Sequence, residues 1–146
     1  MKNNSLRLAM IVLMITVMIS ACSQKPGFVR QHGQLVVDGT KLTDENGDTL
    51  VLRGMSFGWS NWWPQFWNAD VVSKLVNDWN CTVIRAAMGV EHEDGYLERP
   101  EYSDSLVRNV VDACLQEGVY VIIDWHDHSA VEHVQEAKAF FTDMAK

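Results

Sequence analysis

The stretch Gly118 to His128, GVYVIIDWHDH, decides the fold and frames the chemistry. Five consecutive apolar or aromatic residues, Val119 to Ile123, run without a polar break into Asp124, Trp125, His126, Asp127 and His128. A short apolar run of this kind is a buried strand whose two faces are both expected to be covered, as in parallel sheets. The polar knot then falls at the C-terminal end of the strand. In isolation it suits a metal site, a sugar-binding wall or a decorated strand end, so the remainder of the chain has to choose.

Working outward, the same layout recurs. Val51 to Met55 reads as a strand, and the aromatic loop Phe57 to Trp67 follows it, holding Trp59, Trp62, Trp63 and Trp67. Thr82 to Arg85 is a second apolar strand, followed by a loop rich in Gly, Glu and Asp up to Glu93. Between the strands lie helical patterns. Asn68 is placed to cap a helix with Val71, Val72, Leu75, Val76 and Trp79 on one face. A second helix starts at Ser103 or Asp104, turns Leu106, Val107, Val110, Cys114 and Leu115 inward, and ends at Gly118. A third runs from about Ala130 with Val134, Ala137, Phe140, Phe141 and Met144. Upstream, Gln34 to Val37 and Thr49 to Leu52, with turn signals at Asp38-Gly39 and Glu45 to Asp48, indicate a small hairpin region.

The order β-α-β-α-β-α argues for parallel strands joined by crossover helices. A doubly wound sheet and a (β/α)8 barrel both begin this way. No G-x-G-x-x-G follows any strand, which removes support for dinucleotide binding. Polar and aromatic residues gather after each strand, where both architectures place their chemistry.

The first residues are a different kind of sequence. Lys2 and Arg7 precede an apolar run from Leu8 to Ile19, too short for a comfortable membrane span. Ile19-Ser20-Ala21-Cys22 resembles a bacterial lipobox, which implies a lipoprotein signal peptide over residues 1–21, a lipid anchor on Cys22 and an exported, envelope-bound protein, with the outer membrane favoured by Ser23. Residues 22–33 read as a tether and residues 34–146 as the folded part. From Cys22 onward ten basic residues face nineteen acidic ones, a net charge of −9. With no basic patch, nucleic acid is not an expected partner. Cys81 and Cys114 could pair in an oxidising compartment, but each sits beside an apolar segment, and buried thiols are the preferred reading.

Three chemistries then compete for the strand ends. Asp124-x-His126-x-His128 resembles the metal motif of amidohydrolase barrels, but here it lies on the third strand, beside an arginine suited to carboxylates. A non-catalytic glycan-binding lipoprotein is a second alternative. The third is sugar chemistry: Trp59, Trp62 and Trp63 offer flat faces for the apolar side of a carbohydrate ring, and Arg85 can hold a carboxylate ionised.

LVLRGMSFGW (50–59), TVIRAAMG (82–89) and GVYVIIDWHDH, in this order and spacing, resemble glycoside hydrolase family 5, the nearest members being bacterial endo-β-1,4-glucanases. The resemblance covers residues 34–146 and implies a (β/α)8 TIM barrel, represented by an N-terminal hairpin and about the first three β/α units. It implies a secreted glycosidase that cleaves β-1,4-glucan with retention and needs no metal or other cofactor, its partner being a β-glucan polysaccharide or oligosaccharide. Arg85 matches the arginine that contacts the nucleophilic glutamate, and His126 the histidine lining the subsite of the sugar to be cleaved. Trp62 and Trp63 match an aromatic stacking pair; with Trp59 and His128 they form the implied substrate-binding set, Asp127 giving hydrogen-bonding support. Where many relatives carry a histidine after Gly-Met-Ser, this chain has Phe57-Gly58-Trp59.

Retaining chemistry needs two carboxyl groups about 5–5.5 Å apart. The resemblance places both on glutamates of the fourth and seventh strands, beyond residue 146. Glu91, Glu93, Glu98 and Glu132 do not match those positions. A full barrel takes roughly 250 residues, so the chain by itself is expected to be neither stable nor active, with the edge of its third strand exposed.

Overall fold

The computed structural model describes residues 27–146. The expected signal peptide over residues 1–21 and the expected lipidation site at Cys22 lie outside the described residues. No helix among the described residues is long and apolar enough to cross a membrane.

The described chain begins with a short helix, α1 (Phe28–His32), inside the stretch expected to be a tether. It is fastened rather than free: the Val29 amide donates to the Gly118 carbonyl at 2.8 Å, and the Phe28 ring meets Tyr120 edge-on at 6.0 Å. An antiparallel hairpin follows, β1 (Val36–Asp38) and β2 (Lys41–Thr43), turning at Gly39 with φ 59°. Asp44 ends the hairpin. Its carboxylate accepts from the Asn46 and Asp48 amides and pairs with His32 Nδ1 at 2.9 Å. The His32 hydrogen bond is the main force holding the Asp44 carboxyl below its ordinary range, against the opposing effect of burial.

Three parallel strands come next, in the order β3 (Gly54–Ser56), β4 (Val83–Gly89), β5 (Tyr120–His126). Helix α2 (Ala69–Trp79) joins β3 to β4, α3 (Pro100–Glu117) joins β4 to β5, and α4 (Val134–Met144) follows β5. Asn68 caps α2 as its sequence position indicates, its side chain accepting from the Val71 amide at 3.0 Å. Gly118 closes α3 in the left-handed conformation, φ 70°. Helix α3 starts earlier than its Ser and Asp suggest, because Pro100 occupies the first helical position, where its missing N–H costs nothing.

Register explains the two faces of the sheet. Arg85, Ala87 and Gly89 pair with Ile122, Asp124 and His126, and Ser56 pairs with Arg85, so all of these share one face. The other face carries Ile84, Ala86 and Met88, all fully buried, and Val121, Ile123 and Trp125, which pack against the same core. That core is completed by Val72 of α2, Leu106, Val107, Val110 and Cys114 of α3, and Phe140 of α4.

Several expectations need correction. Among the described residues β5 is covered on one face only, its apolar run alternating between the core and a face on which Ile122 is 49% exposed. β3 is likewise exposed rather than buried, since it is an edge strand with β4 on one side only among the described residues. β4 runs on to Gly89, beyond Arg85, because seven residues pair with β5 although Ala and Gly are poor strand formers. Trp79 and Leu115 are exposed; both sit in the last turn of their helices, where the apolar stripe outruns its cover. α4 starts at Val134, after a turn in which Asp127, not Ala130, organises the entry. Cys81 and Cys114 are buried free thiols. Burial, reinforced by Glu117, pushes the Cys114 thiol up to about 11, which makes it unreactive.

Candidate functional site

The open face of the sheet ends in a hydrogen-bonded group built from all three strands. Arg85 Nη1 donates to Ser56 Oγ at 2.8 Å, and Arg85 Nη2 forms an ion pair with Asp124 Oδ2 at 2.8 Å. The same carboxylate oxygen lies 2.9 Å from His126 Nδ1. Arg85 Nη2 is also 3.0 Å from that nitrogen. Asp124 is thus the point where the arginine and the histidine meet. All four side chains stay partly open to solvent, as a site that meets a ligand must.

The loop after β3 folds over this group because β4 lets it approach. Ser60, fully buried, donates its amide to the Ala87 carbonyl and accepts the Gly89 amide on Oγ at 3.0 Å. A Cβ on Gly89 would sit 2.1 Å from Asn61 Oδ1 and 3.1 Å from Trp59 Cε3, so only glycine permits the closure. Trp67 anchors the far end of the loop from beneath, 1% exposed, with its indole N–H on the Gly58 carbonyl.

The tryptophans therefore have distinct roles. Trp59 lies parallel to Trp62 at 4.6 Å and 9°, and meets the His126 and His128 rings edge-on at 4.7 and 5.2 Å. One of its faces is already used by Trp62, so it ties Trp62 to His126 instead of standing as an independent platform. Trp62 and Trp63 keep flat surface in solvent, 53% and 50% exposed. His92, held at the left-handed φ of 74°, lies against Trp62 at 5.8 Å and 30°, extending that surface.

Of the side chains singled out from sequence, the structure gathers Arg85, His126, His128, Trp59 and Trp62 into one cluster. Trp63 stands at its rim, in contact with Gly58 and facing Phe66. Asp127 is not part of it. Its carboxylate accepts from the Trp125 indole at 3.2 Å and the Ser129 amide at 2.8 Å, and pairs with His133 Nδ1 at 2.8 Å. Burial pushes the Asp127 carboxyl up, but the hydrogen bonds from His133, Ser129 and Trp125 together bring it below its ordinary value. The same hydrogen bond raises His133.

Sequence reasoning missed Ser56, His92, the linking role of Asp124, and Glu91. Glu91 accepts the His128 amide on Oε1 at 3.0 Å and joins the loops after β4 and β5. The period-two spacing of Asp124 and His126 was a visible signal that they share a face. Among the described residues, no group of three or more His, Cys, Asp and Glu side chains converges as metal ligands would.

With this geometry in view, comparison with known proteins is decisive. The sequence profile described as cellulase (glycosyl hydrolase family 5) matches residues 43–146. The chain belongs to glycosyl hydrolase family 5. Endoglucanase Z of Dickeya dadantii is 44% identical over 115 residues, covering 79% of this chain and 26% of that relative. An endoglucanase of Clostridium saccharobutylicum is 33% identical over 149 residues, covering 99% of this chain and 33% of that relative. Among solved structures, a protein from Cytophaga hutchinsonii superposes with a TM-score of 0.80 at 49% identity, over 82% of this chain and 39% of its own. The catalytic domain of a Thermobifida fusca endoglucanase, solved also with cellotetraose, superposes at 0.72 with 31% identity, over 80% of this chain and 39% of its own. The chain thus spans about a quarter to a third of the length of these two endoglucanases. In family 5 terms, β3, β4 and β5 are parallel strands of a (β/α)8 barrel, and the polar face described above is its interior.

Proposed function

We propose that this chain forms the opening units of an exported endo-β-1,4-glucanase, and that its strand ends build one wall of the glucan-binding cleft. The observation that carries the reading is the Arg85–Asp124–His126 group lying on the barrel face under the Trp59–Trp62 stack. A glucan presents apolar ring faces and a rim of hydroxyls; the exposed indoles of Trp62 and Trp63 suit the former, His126 and His128 the latter. Arg85, fixed on two sides by Ser56 and Asp124, is suited to contact and hold ionised the carboxylate nucleophile of a retaining mechanism. The two glutamates that break and remake the glycosidic bond belong to barrel strands after β5. The 146-residue polypeptide alone is accordingly inactive. Cys22 carries a lipid that fixes the enzyme to the cell envelope, with residues 1–21 removed as a signal peptide.

A chimera tests this directly. Residues 34–146 replace the matching stretch of endoglucanase Z, and release of reducing ends from carboxymethylcellulose is measured. The reading requires hydrolysis by the chimera and a loss of at least about 100-fold in its Arg85→Ala variant, the order seen when a group stabilising charge in the transition state is removed. A folded chimera without activity, or one indifferent to Arg85, overturns it. Carboxymethylcellulose hydrolysis by the 146-residue chain above its Arg85→Ala control would overturn the inactivity of the chain alone.

A further inference from the structure

We infer that His92 is a further glucan-contacting residue, which places an imidazole nitrogen at the rim of the sugar ring that rests on Trp62. The inference rests on the reading of this face as a glucan cleft, and adds to it a polar contact supplied by the loop after β4.

The position of His92 follows from three distances. The ring centroids of Trp59 and Trp62 are 4.6 Å apart, and that of His92 lies 5.5 Å from the first and 5.8 Å from the second. The two indoles are parallel to within 9°, so a ring capping the outer face of Trp62 would lie much farther from Trp59 than from Trp62. The near-equal distances instead put His92 beside the stack, tilted 38° and 30° from the two indoles. The outer face of Trp62 is left open, in keeping with its 53% exposure. A β-glucose ring lays its C–H groups on such an indole face and carries its equatorial hydroxyls around its rim, roughly in the plane of the ring. A group above or below the ring misses them; a group flanking the platform reaches them.

The loop is built to hold the imidazole there. His92 and Asp94 both have left-handed backbones, φ 74° and 61°, which non-glycine residues keep only where their surroundings impose them. The Gly95 amide donates to the His92 carbonyl at 3.1 Å, and a Cβ on Gly95 would come within 2.6 Å of the Val90 carbonyl oxygen. The Tyr96 and Leu97 amides close the loop on the Gly89 and Val90 carbonyls, at 2.9 and 3.1 Å. Asn61 donates its side-chain amide to the Glu93 carbonyl at 3.0 Å, tying the His92 loop to the segment that carries Trp59 and Trp62. None of these bonds uses the imidazole. The His92 side chain is exposed, and its two nitrogens have no hydrogen-bond partner among the described residues. When the ring is neutral, one nitrogen donates and the other accepts, so a sugar hydroxyl finds a partner in either sense.

Calorimetric titration of the 146-residue chain with cellotetraose tests the contact through three substitutions. His92→Gly removes the ring while holding φ 74° without strain, and is expected to weaken binding about fivefold, the loss of one hydrogen bond. His92→Asn and His92→Gln restore an amide near the places of Nδ1 and Nε2 respectively. One of the two is expected to recover most of the loss, and which one does so names the nitrogen that meets the sugar. Wild-type affinity in folded His92→Gly overturns the inference. So does an equal loss in all three variants, which would mean that the ring supports the indoles and makes no polar contact. In the chimera with endoglucanase Z, His92→Gly should raise KM about fivefold and leave kcat unchanged, since this contact holds substrate and transition state alike; a fall in kcat at constant KM contradicts it. Trp62→Ala judges the glucan reading separately. If cellotetraose binds the wild type and Trp62→Ala weakens it, that reading stands whatever the His92 variants show; if the folded wild type does not bind, both fall.

Discussion

Two aspartate–histidine pairs lie within ten residues of each other, Asp124 with His126 and Asp127 with His133, at 2.9 and 2.8 Å. Their residue types and separations nearly coincide, yet their settings do not. Asp124 stands at a strand end with Arg85 as its third partner and stays partly open. Asp127 has no exposed side-chain surface and spends its remaining capacity on the Trp125 indole and the Ser129 amide. One pair stays partly open at the strand ends; the other shuts the turn that delivers α4 to the core. What distinguishes an open polar group from a structural one is therefore the third partner and the exposure of the carboxylate, neither of which the local string DWHDH reveals.

The contrast can be broken by mutation. Asp127→Ala strands the Trp125 indole N–H and the Ser129 amide, and should destabilise the fold by about 2 kcal/mol, within the range for donors left unsatisfied by loss of a partner. Asp124→Ala, at a partly exposed site, should cost no more than about 1 kcal/mol. Urea unfolding of the two variants checks the ordering, and equal costs would erase the distinction. A similar contrast holds along the sheet. Ile84→Ala, in the closed core, should cost about 3 kcal/mol, whereas Ile122→Ala on the open face should cost a small fraction of that.

pH acts on the Asp127–His133 pair through both partners. His133 is raised, so its contribution is complete below its ordinary value of 6.5 and is lost as pH rises through the raised one. Asp127 is lowered, so its contribution is complete above 3.8 and is lost as pH falls through the lowered value. The stabilising window of the pair is then about pH 4 to 6.5. Thermal unfolding of His133→Ala against wild type should show its greatest difference inside that window and a shrinking one toward pH 8. The smallest expected effect is local. Gly89→Ala forces Asn61 and Trp59 away from the strand end, and should be read as a change in tryptophan fluorescence exceeding its change in stability.

The alternation of strands and helices was legible because each helix has an apolar stripe and a recognisable end, Asn68 at the start of α2 and Gly118 at the end of α3. Arg85 and His126 were legible as candidates because both follow apolar strand residues. The rest depended on pairing. The length of β4 is set by β5, against the weak propensity of Ala86, Ala87 and Gly89. The link through Asp124 requires knowing that Ser56, Arg85 and Asp124 come from three strands in register. Trp59 looked equivalent to Trp62 in sequence and becomes its backing only once the loop closes over Gly89.

The central claim is that the open strand-end face, and not the closed turn beside it, meets a β-glucan. Isothermal titration calorimetry of the purified chain with cellotetraose tests it most directly. The account predicts saturable binding, weakened about tenfold by Trp62→Ala through loss of a stacking contact worth about 1.4 kcal/mol and unaffected by His133→Ala in protein that remains folded. No binding by the folded chain, or binding indifferent to Trp62, would contradict it.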